Sequence, residues 1–283
     1  MGTVIANKLS NGYKYPFMSE AKGSGKPLLT KKLDGFFLAI YNGFSFVMRF
    51  FKEVWKPPYE GKEIIRQCYQ VGYKSLGLIT LTGFITGLVF TKQSRPSLSE
   101  FGATSWLPSL VSIAMIRALA PLVTSLICAG KVGSSLGAEL GSMRVTEQID
   151  AMEVSAINPF KYLVVTRVLA TTITIPLLMC YTGFVGMMGS YIDVHVTEQT
   201  GLSLFFQGAF QRISFLDFIA SFVKSIAYGF TIGIVGCYQG FHASKGTEGV
   251  GKAANTSVVL AMFLIFIEEI LIVQVFNSFR AVQ

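Results

Sequence analysis

Five long apolar stretches constrain this chain more than any other feature of its sequence. Each contains about 20 mostly apolar residues, the length that an α-helix needs to cross a bilayer. They are 71–90, 107–129, 168–192, 218–241 and 256–276. None alternates polar and apolar residues as a strand would, and an isolated strand cannot satisfy its backbone in lipid. The sequence therefore predicts an all-α integral membrane protein with five transmembrane helices.

Basic residues predict how these helices are oriented. Lys and Arg are dense before the first stretch, and the segments 130–167 and 242–255 contain more of them than the two remaining loops. Loops rich in Lys and Arg stay in the cytoplasm. We therefore predict a cytoplasmic N-terminus and a C-terminus on the opposite side. This clustering also explains the net charge of +8 without nucleic acid, for which the chain has no groove pattern of basic and aromatic residues.

A shorter apolar run, 35–48, is rich in Phe and has basic residues on both sides. About 14 residues is a length typical of interfacial segments. We predict an amphipathic helix over about 33–55 that lies in the cytoplasmic leaflet. Residues 1–32 form a polar tail before it, and 33–283 form one membrane domain.

Glycines spaced four residues apart occur in several stretches. The pairs are Gly83 and Gly87, Gly229 and Gly233, and Gly236 and Gly240. Small residues at this spacing let another helix approach closely. For each pair, packing between helices of the same chain is the simplest interpretation.

The segment 130–159, between the second and third stretches, is unusually regular. Gly133, Gly137 and Gly141 share one helical face, and a second short helix is predicted to begin at Thr146 as its N-cap. Asn158-Pro159 then ends that helix. A compact helix pair of this kind suits docking of a soluble partner, and the alternative is a solvated linker.

Residues of this segment carry a family resemblance. Ala129-Gly-Lys-Val-Gly-Ser134 is followed by a set of matching residues: Glu139, Arg144, Glu147, Gln148, Ala151, Met152, Asn158 and Pro159. Together they resemble the signature of MlaE-family ABC transporter permeases. Family members often have Arg-Glu where this chain has Arg117-Ala118, so the resemblance carries no charge pair to that position.

The resemblance implies a permease whose two copies form the core of a lipid transporter in the bacterial inner membrane. A separate ATPase subunit would hold ATP and Mg²⁺ and contact a coupling-helix pair within 130–159. The C-terminus would be periplasmic, where an MCE-domain protein would bind, and a STAS-domain accessory protein is a further partner. The cargo would be phospholipid, moved between the inner and outer membranes. The residues expected to couple to the ATPase are Glu139, Arg144, Glu147, Gln148, Asp150, Met152 and Glu153.

No nucleotide site is evident in the chain itself. A phosphate-binding loop needs Gly-Lys followed by Ser or Thr, but Val132 follows Gly130-Lys131. The two histidines, His195 and His242, form no catalytic pattern with other residues. We therefore expect a transporter subunit rather than an enzyme, with no cofactor bound by this chain.

Ionisable residues inside the stretches mark a candidate lipid site. Arg117, Lys224, Glu268 and Glu269 are costly in a bilayer and usually face a protein interior or a wet cavity. At 1.5 Å per residue, Lys224 and Glu269 lie at similar depth, so they are expected to pair. The pair either lines the lipid cavity, as the resemblance implies together with Arg117, or is a structural salt bridge. Apolar contacts for the lipid tails are predicted on the first stretch at Leu81, Phe84, Leu88 and Phe90.

Two other functions remain open. An ion-coupled carrier would use Lys224 and Glu269 as a relay, but inverted repeats and broken helices, which are typical of such carriers, are not evident. A scaffold for an MCE-domain protein would need no coupling helices. Genes for an ATPase and an MCE-domain protein beside this one would favour the ABC permease.

Overall fold

The computed structural model describes residues 28–57 and 59–280, with side chains for 37–57 and 59–278. Within these ranges the chain is helical and contains no strand. The helices are α1 (Leu28–Val54), α2 (Gly61–Glu100), α3 (Thr104–Val145), α4 (Gln148–Val154), α5 (Phe160–Glu198), α6 (Leu202–Phe210), α7 (Phe215–Phe241) and α8 (Thr247–Arg280). Most of the predicted polar tail, 1–32, lies outside the described residues.

Five of these helices, α2, α3, α5, α7 and α8, are long and apolar enough to cross a membrane. Each contains one of the five predicted stretches, which confirms their number and order. The helices extend beyond the stretches because hydropathy detects only the part that lies in hydrocarbon. We call the end of the bundle where α7 meets α8 the near end, and the end where α2 meets α3 the far end.

The chain divides into two units at Ser45 and Phe46, within α1. Helix α1 covers nearly all of the predicted interfacial helix, 33–55. The location of this helix in the cytoplasmic leaflet remains a prediction. The last turns of α1 belong to the second unit, where Phe46 and Phe50 are buried. The ring of Phe46 lies 4.9 Å from that of Phe160 and 5.3 Å from that of Tyr238. Phe residues of the predicted amphipathic helix thus join the core at the near end.

Helix α5 occupies the centre of the second unit. Of its most apolar 18 residues 72% are buried, against 28% in α2 and 11% in α8. Helix α2 packs along α5 where glycines remove the intervening side chains: a Cβ on Gly83 would lie 3.1 Å from Thr182 Cγ2, and one on Gly87 would collide with the carbonyl group of Gly186. The glycine pair of the first stretch is therefore used within the chain, as expected.

Helix α3 does not end where the second apolar stretch does. It contains a π-helical turn within the stretch, at Met115–Leu119, and continues beyond the stretch to Val145 through a second one at Ala129–Gly133. The predicted glycine face lies along this extension, and at Gly137 a Cβ would lie 3.0 Å from the carbonyl oxygen of Ala253 in α8. The glycines thus let α8 and α7 pack on α3. The first helix of the predicted pair is therefore the end of α3, and the second is the separate short helix α4.

The predicted start of α4 is wrong by one residue. Thr146 donates its hydroxyl hydrogen bond back to the carbonyl of Ser142 in α3, and the residue that precedes α4 is Glu147, with a φ of 58°. The hydroxyl is therefore used at the end of one helix instead of the beginning of the next.

We predict that Gly87→Ala destabilises the protein by about 1–3 kcal/mol, because the added methyl group overpacks the α2–α5 contact. Gly77→Ala in the same helix is the control, since a Cβ there meets nothing within 4 Å. That change should be neutral or stabilising by up to about 1 kcal/mol through helix propensity. Thermal unfolding in detergent measures both, and equal unfolding temperatures would contradict the close contact.

Candidate functional site: a charge cluster in the bundle and an exposed helix

Four charged side chains from α3, α7 and α8 form a connected group in the bundle, which we call the charge cluster: Arg117, Asp217, Lys224 and Glu269. Arg117 Nη2 lies 2.8 Å from Asp217 Oδ2, and Lys224 Nζ lies 2.6 Å from Glu269 Oε1. The ammonium group of Lys224 also donates to the backbone carbonyl of Arg117 at 3.0 Å. Two cations and two anions are thus joined, so the cluster carries no net formal charge.

The pairing of Lys224 with Glu269 agrees with the equal depth expected from the sequence. Lys224 is almost fully buried, and the side chain of Glu269 keeps 17% of its surface exposed. The second carboxylate oxygen of Glu269 accepts a hydrogen bond from the Tyr228 hydroxyl. Since each group has more than one partner, the ion pair is held in one geometry.

Asp217, the partner of Arg117, was missed in the sequence analysis. It lies in the first turn of α7, where its carboxylate also accepts from the backbone N–H of Ser214 at 3.0 Å in a capping box. The signal was present, because Ser-x-x-Asp before an apolar run is typical of a helix start. With a side chain only 1% exposed, Asp217 needs the cation that Arg117 supplies.

Glu268, beside the cluster, is in a different position. It accepts a hydrogen bond from the Thr231 hydroxyl, and its other carboxylate oxygen is buried without a hydrogen-bond partner. In the described part of the chain, no basic side chain lies within ion-pair distance of it. The described residues also contain no group of His, Cys, Asp and Glu that could hold a metal ion.

The residues predicted on the first stretch are not beside the charge cluster within one chain. Leu81 is exposed, and Phe84, Leu88 and Phe90 are half-buried. Helix α2 packs mainly on α5, whereas α8 packs mainly on α7 and α3. Next to the cluster, α8 instead has an open groove lined by Glu269, Ile270, Val273, Gln274, Asn277 and Ser278.

Helix α4 presents an exposed surface at the near end. Ile149 is buried and anchors the helix, while Arg144 Nη1 contacts Asp150 Oδ1 at 2.5 Å and ties α4 to the end of α3. Glu147, Gln148 and Glu153 are exposed. Val154, beside Glu153, has 90% of its surface exposed.

Two of the predicted coupling residues are not part of this exposed surface. Glu139 is in α3, where it accepts from Arg167 of α5 at 2.7 Å. Met152 is half-buried and packs against the core. The buried guanidinium of Arg167 therefore ties the near-end half of α3 to the central helix, and Glu139 contributes to this tie.

Comparison with known proteins places these features in a family context. The family model described as Permease MlaE matches residues 64–275. A probable ABC transporter permease protein of Rickettsia prowazekii is 36% identical over 84% of this chain and 92% of its own length. A probable ABC transporter permease protein of Synechocystis is 34% identical over 74% of this chain and 79% of its own. The chloroplastic protein TRIGALACTOSYLDIACYLGLYCEROL 1 of Arabidopsis thaliana is 31% identical over 74% of this chain and 59% of its own.

We predict that Glu269→Gln destabilises the protein, because Lys224 loses its counter-ion. The cost reaches about 3–5 kcal/mol for a fully buried pair and is expected to be smaller here, since Glu269 is partly exposed. Glu268→Gln is the matched control, because it removes a neighbouring carboxylate that has no basic partner. Its unfolding temperature should stay the same or rise.

The exchange Lys224→Glu with Glu269→Lys should recover part of the lost stability if the two groups mainly satisfy each other. A double-mutant cycle on thermal unfolding measures this coupling. Strict additivity, or equal damage from the two Gln variants, would show that the ion pair does not stabilise the bundle.

Proposed function

The chain belongs to the MlaE permease family, and on that premise we propose that two copies of it form the membrane core of an ABC transporter for phospholipid. The transporter would move lipid between the inner and outer membranes of a bacterium. The observation that carries this proposal is the charge cluster, which borders an open groove on α8 inside a multi-pass permease.

A phospholipid needs both a charged and an apolar contact. Arg117, whose side chain is 35% exposed, offers a cation to a headgroup phosphate. Lys224 is nearly buried and holds Glu269, whose carboxylate group lines the groove. The surrounding faces of α8 carry exposed apolar residues such as Ile270 and Leu271. The name of the Arabidopsis relative refers to trigalactosyldiacylglycerol, a lipid, which is in line with a lipid cargo.

The exposed face of α8 favours a second copy. Only 11% of the most apolar part of α8 is buried within one chain, and Gln274, Asn277 and Ser278 lie exposed near Glu269. Polar side chains in a span usually face protein or a wet cavity. A second copy that covers this face would also bring further walls to the groove, including the predicted tail contacts of α2.

ABC permeases work with ATPase subunits, and α4 is the proposed contact. An apolar knob, Val154, stands among the exposed carboxylates Glu147 and Glu153, a combination suited to a pocket with a basic rim. Force applied to α4 would pass through the Arg144–Asp150 pair into α3. Because α3 is continuous as far as Arg117, it would carry a movement at the near end to the charge cluster.

The remaining partners follow from the proposed orientation. The near end carries Arg144, Lys161 and Lys245, and the positive-inside rule favours a cytoplasmic location for such an end. The ATPase and any STAS-domain protein would then bind there. The C-terminus would then lie in the periplasm, where an MCE-domain protein would meet the far end. This arrangement corresponds to the inner membrane of a bacterium with two membranes.

An ion-coupled carrier is the second candidate. The observation in its favour is Glu268, whose carboxylate has a buried oxygen without a hydrogen-bond partner and could exchange a proton. A carrier would be driven by an ion gradient and an ABC permease by ATP, so the energy source distinguishes the two.

The decisive experiment reconstitutes the chain with its cognate ATPase in liposomes that contain fluorescent phospholipid. We expect lipid transfer to acceptor vesicles to require ATP and Mg²⁺ and to be unaffected by ionophores. The chain alone should hydrolyse no ATP. Transfer that stops with an ionophore and proceeds without ATP would replace this proposal with the carrier.

We also predict that Glu147→Lys combined with Glu153→Lys uncouples the complex, because the variant reverses the charge of the α4 surface. ATP-driven transfer and co-purification of the ATPase should fall at least about tenfold, a loss of about 1.4 kcal/mol of binding, while the unfolding temperature stays unchanged. Glu248→Lys, an exposed change of the same kind in the first turn of α8, is the control. Full transfer by the α4 variant would exclude a coupling role for these carboxylates.

A further inference from the structure

A second cavity lies away from the α8 groove. It has a volume of about 520 Å³, lies between α3, α5, α6 and α7, and is open on one side. Residues from all four helices line it, among them Ile116, Ala120, Gly183, Phe184, Phe206 and Phe222. We call it the aromatic groove. On α7 its residues, such as Phe218 and Phe222, lie on a different face from Lys224, which points into the charge cluster.

Small residues and a wide helical turn create this space. Ala120 follows directly after the π-helical turn Met115–Leu119, and opposite it Gly183 has no side chain. A Cβ on Gly183 would lie 3.7 Å from Ala120 Cβ, an ordinary contact distance. The floor of the groove is therefore formed by two small residues, while Phe184, Phe206 and Phe222 form its walls.

The lining leaves no polar group that requires a partner. Ser221 is a polar residue of the groove, and its hydroxyl donates to the carbonyls of Ile116 and Asp217. No charged side chain lines the groove. An occupant that complements this surface is therefore uncharged and apolar, because a polar occupant would lose its hydrogen bonds on entry.

Three of the four helices that line the groove, α3, α5 and α7, are long and apolar enough to cross a membrane, so we take the surrounding medium to be lipid. A protein interface of standard size uses about 20–30 residues on each side, whereas 14 residues line the groove. A volume of this size is instead typical of a small-molecule pocket, for which the range is about 300–1,000 Å³.

We propose that the aromatic groove binds one acyl chain of a bilayer phospholipid, held apart from the lipid that the transporter moves. An empty space here would deprive its aromatic walls of dispersion contacts, and a hydrocarbon chain restores them. The proposal needs only that the five helices span a membrane. It would therefore survive if the cargo of the charge cluster were not lipid.

The test uses nanodiscs that contain a phospholipid with a photoactivatable diazirine in the middle of one acyl chain. After illumination, crosslinked peptides are mapped by mass spectrometry. We expect crosslinks to concentrate on the α5 residues Met179, Cys180 and Phe184. Gly183→Phe should fill the groove and reduce these crosslinks by about tenfold or more, because the chain loses its pocket.

Leu177→Phe is the matched control. It adds a ring to α5 at a position that is 62% exposed and outside the groove, so it should leave the crosslinks unchanged. Equal crosslinking of wild type and Gly183→Phe would show ordinary contact with bulk lipid and would overturn the proposal.

A second measurement needs no variant. Cys180 lines the groove and is exposed, whereas Cys128 and Cys237 are buried. Added phospholipid should slow alkylation of Cys180 by an apolar maleimide in detergent at every protein concentration. A second copy could protect Cys180 instead. In that case protection from alkylation would depend on protein concentration alone, and Cys180 would form a disulfide between copies under oxidation. That result would assign the groove to a second copy.

Discussion

A bilayer offers no water to satisfy polar groups, so a charge inside this bundle is stabilised by a partner within the protein. Arg117 and Lys224 each pair with a carboxylate, and Lys224 also donates to the backbone of Arg117. These contacts join α3, α7 and α8 at one point. The mutual arrangement of these three helices depends on this junction, because none of them can shift without leaving a charge unpaired in a low-dielectric medium.

The sequence was sufficient for features that depend on local composition or helical rise. Hydropathy located all five spans, and a rise of 1.5 Å per residue placed Lys224 opposite Glu269. Features that depend on tertiary partners were harder to predict. Asp217 was missed because it lies one residue before the apolar stretch 218–241, where hydropathy does not single it out. The end of α3 was misplaced because a glycine face looks the same whether it packs inside the chain or against a partner. The cavity contacts on α2 remain a prediction, since one copy does not bring them to the cluster.

Two kinds of contact hold the helices of this fold together. Glycines let α2 pack closely on α5 and α8 on α3, so the backbones of these helices are in close contact at several successive turns. Ion pairs, in contrast, act at single points: Glu139–Arg167 fastens α3 to α5, and Arg144–Asp150 fastens α4 to α3. Glycine contacts hold two helices together along their length, so we expect such helices to move as rigid bodies. An ion pair links a helix to one neighbour at a single site. This combination makes α3 suited to transmit movement along its whole length.

The long sequence separation within the charge cluster has a consequence for synthesis. Arg117 and Asp217 are 100 residues apart, and ribosomes add about 5–20 residues per second. Arg117 is therefore synthesised roughly 5–20 s before Asp217. During that interval the nascent chain holds an uncompensated positive charge. Its insertion then depends on water, lipid headgroups or the insertion machinery to keep Arg117 near the interface until α7 emerges.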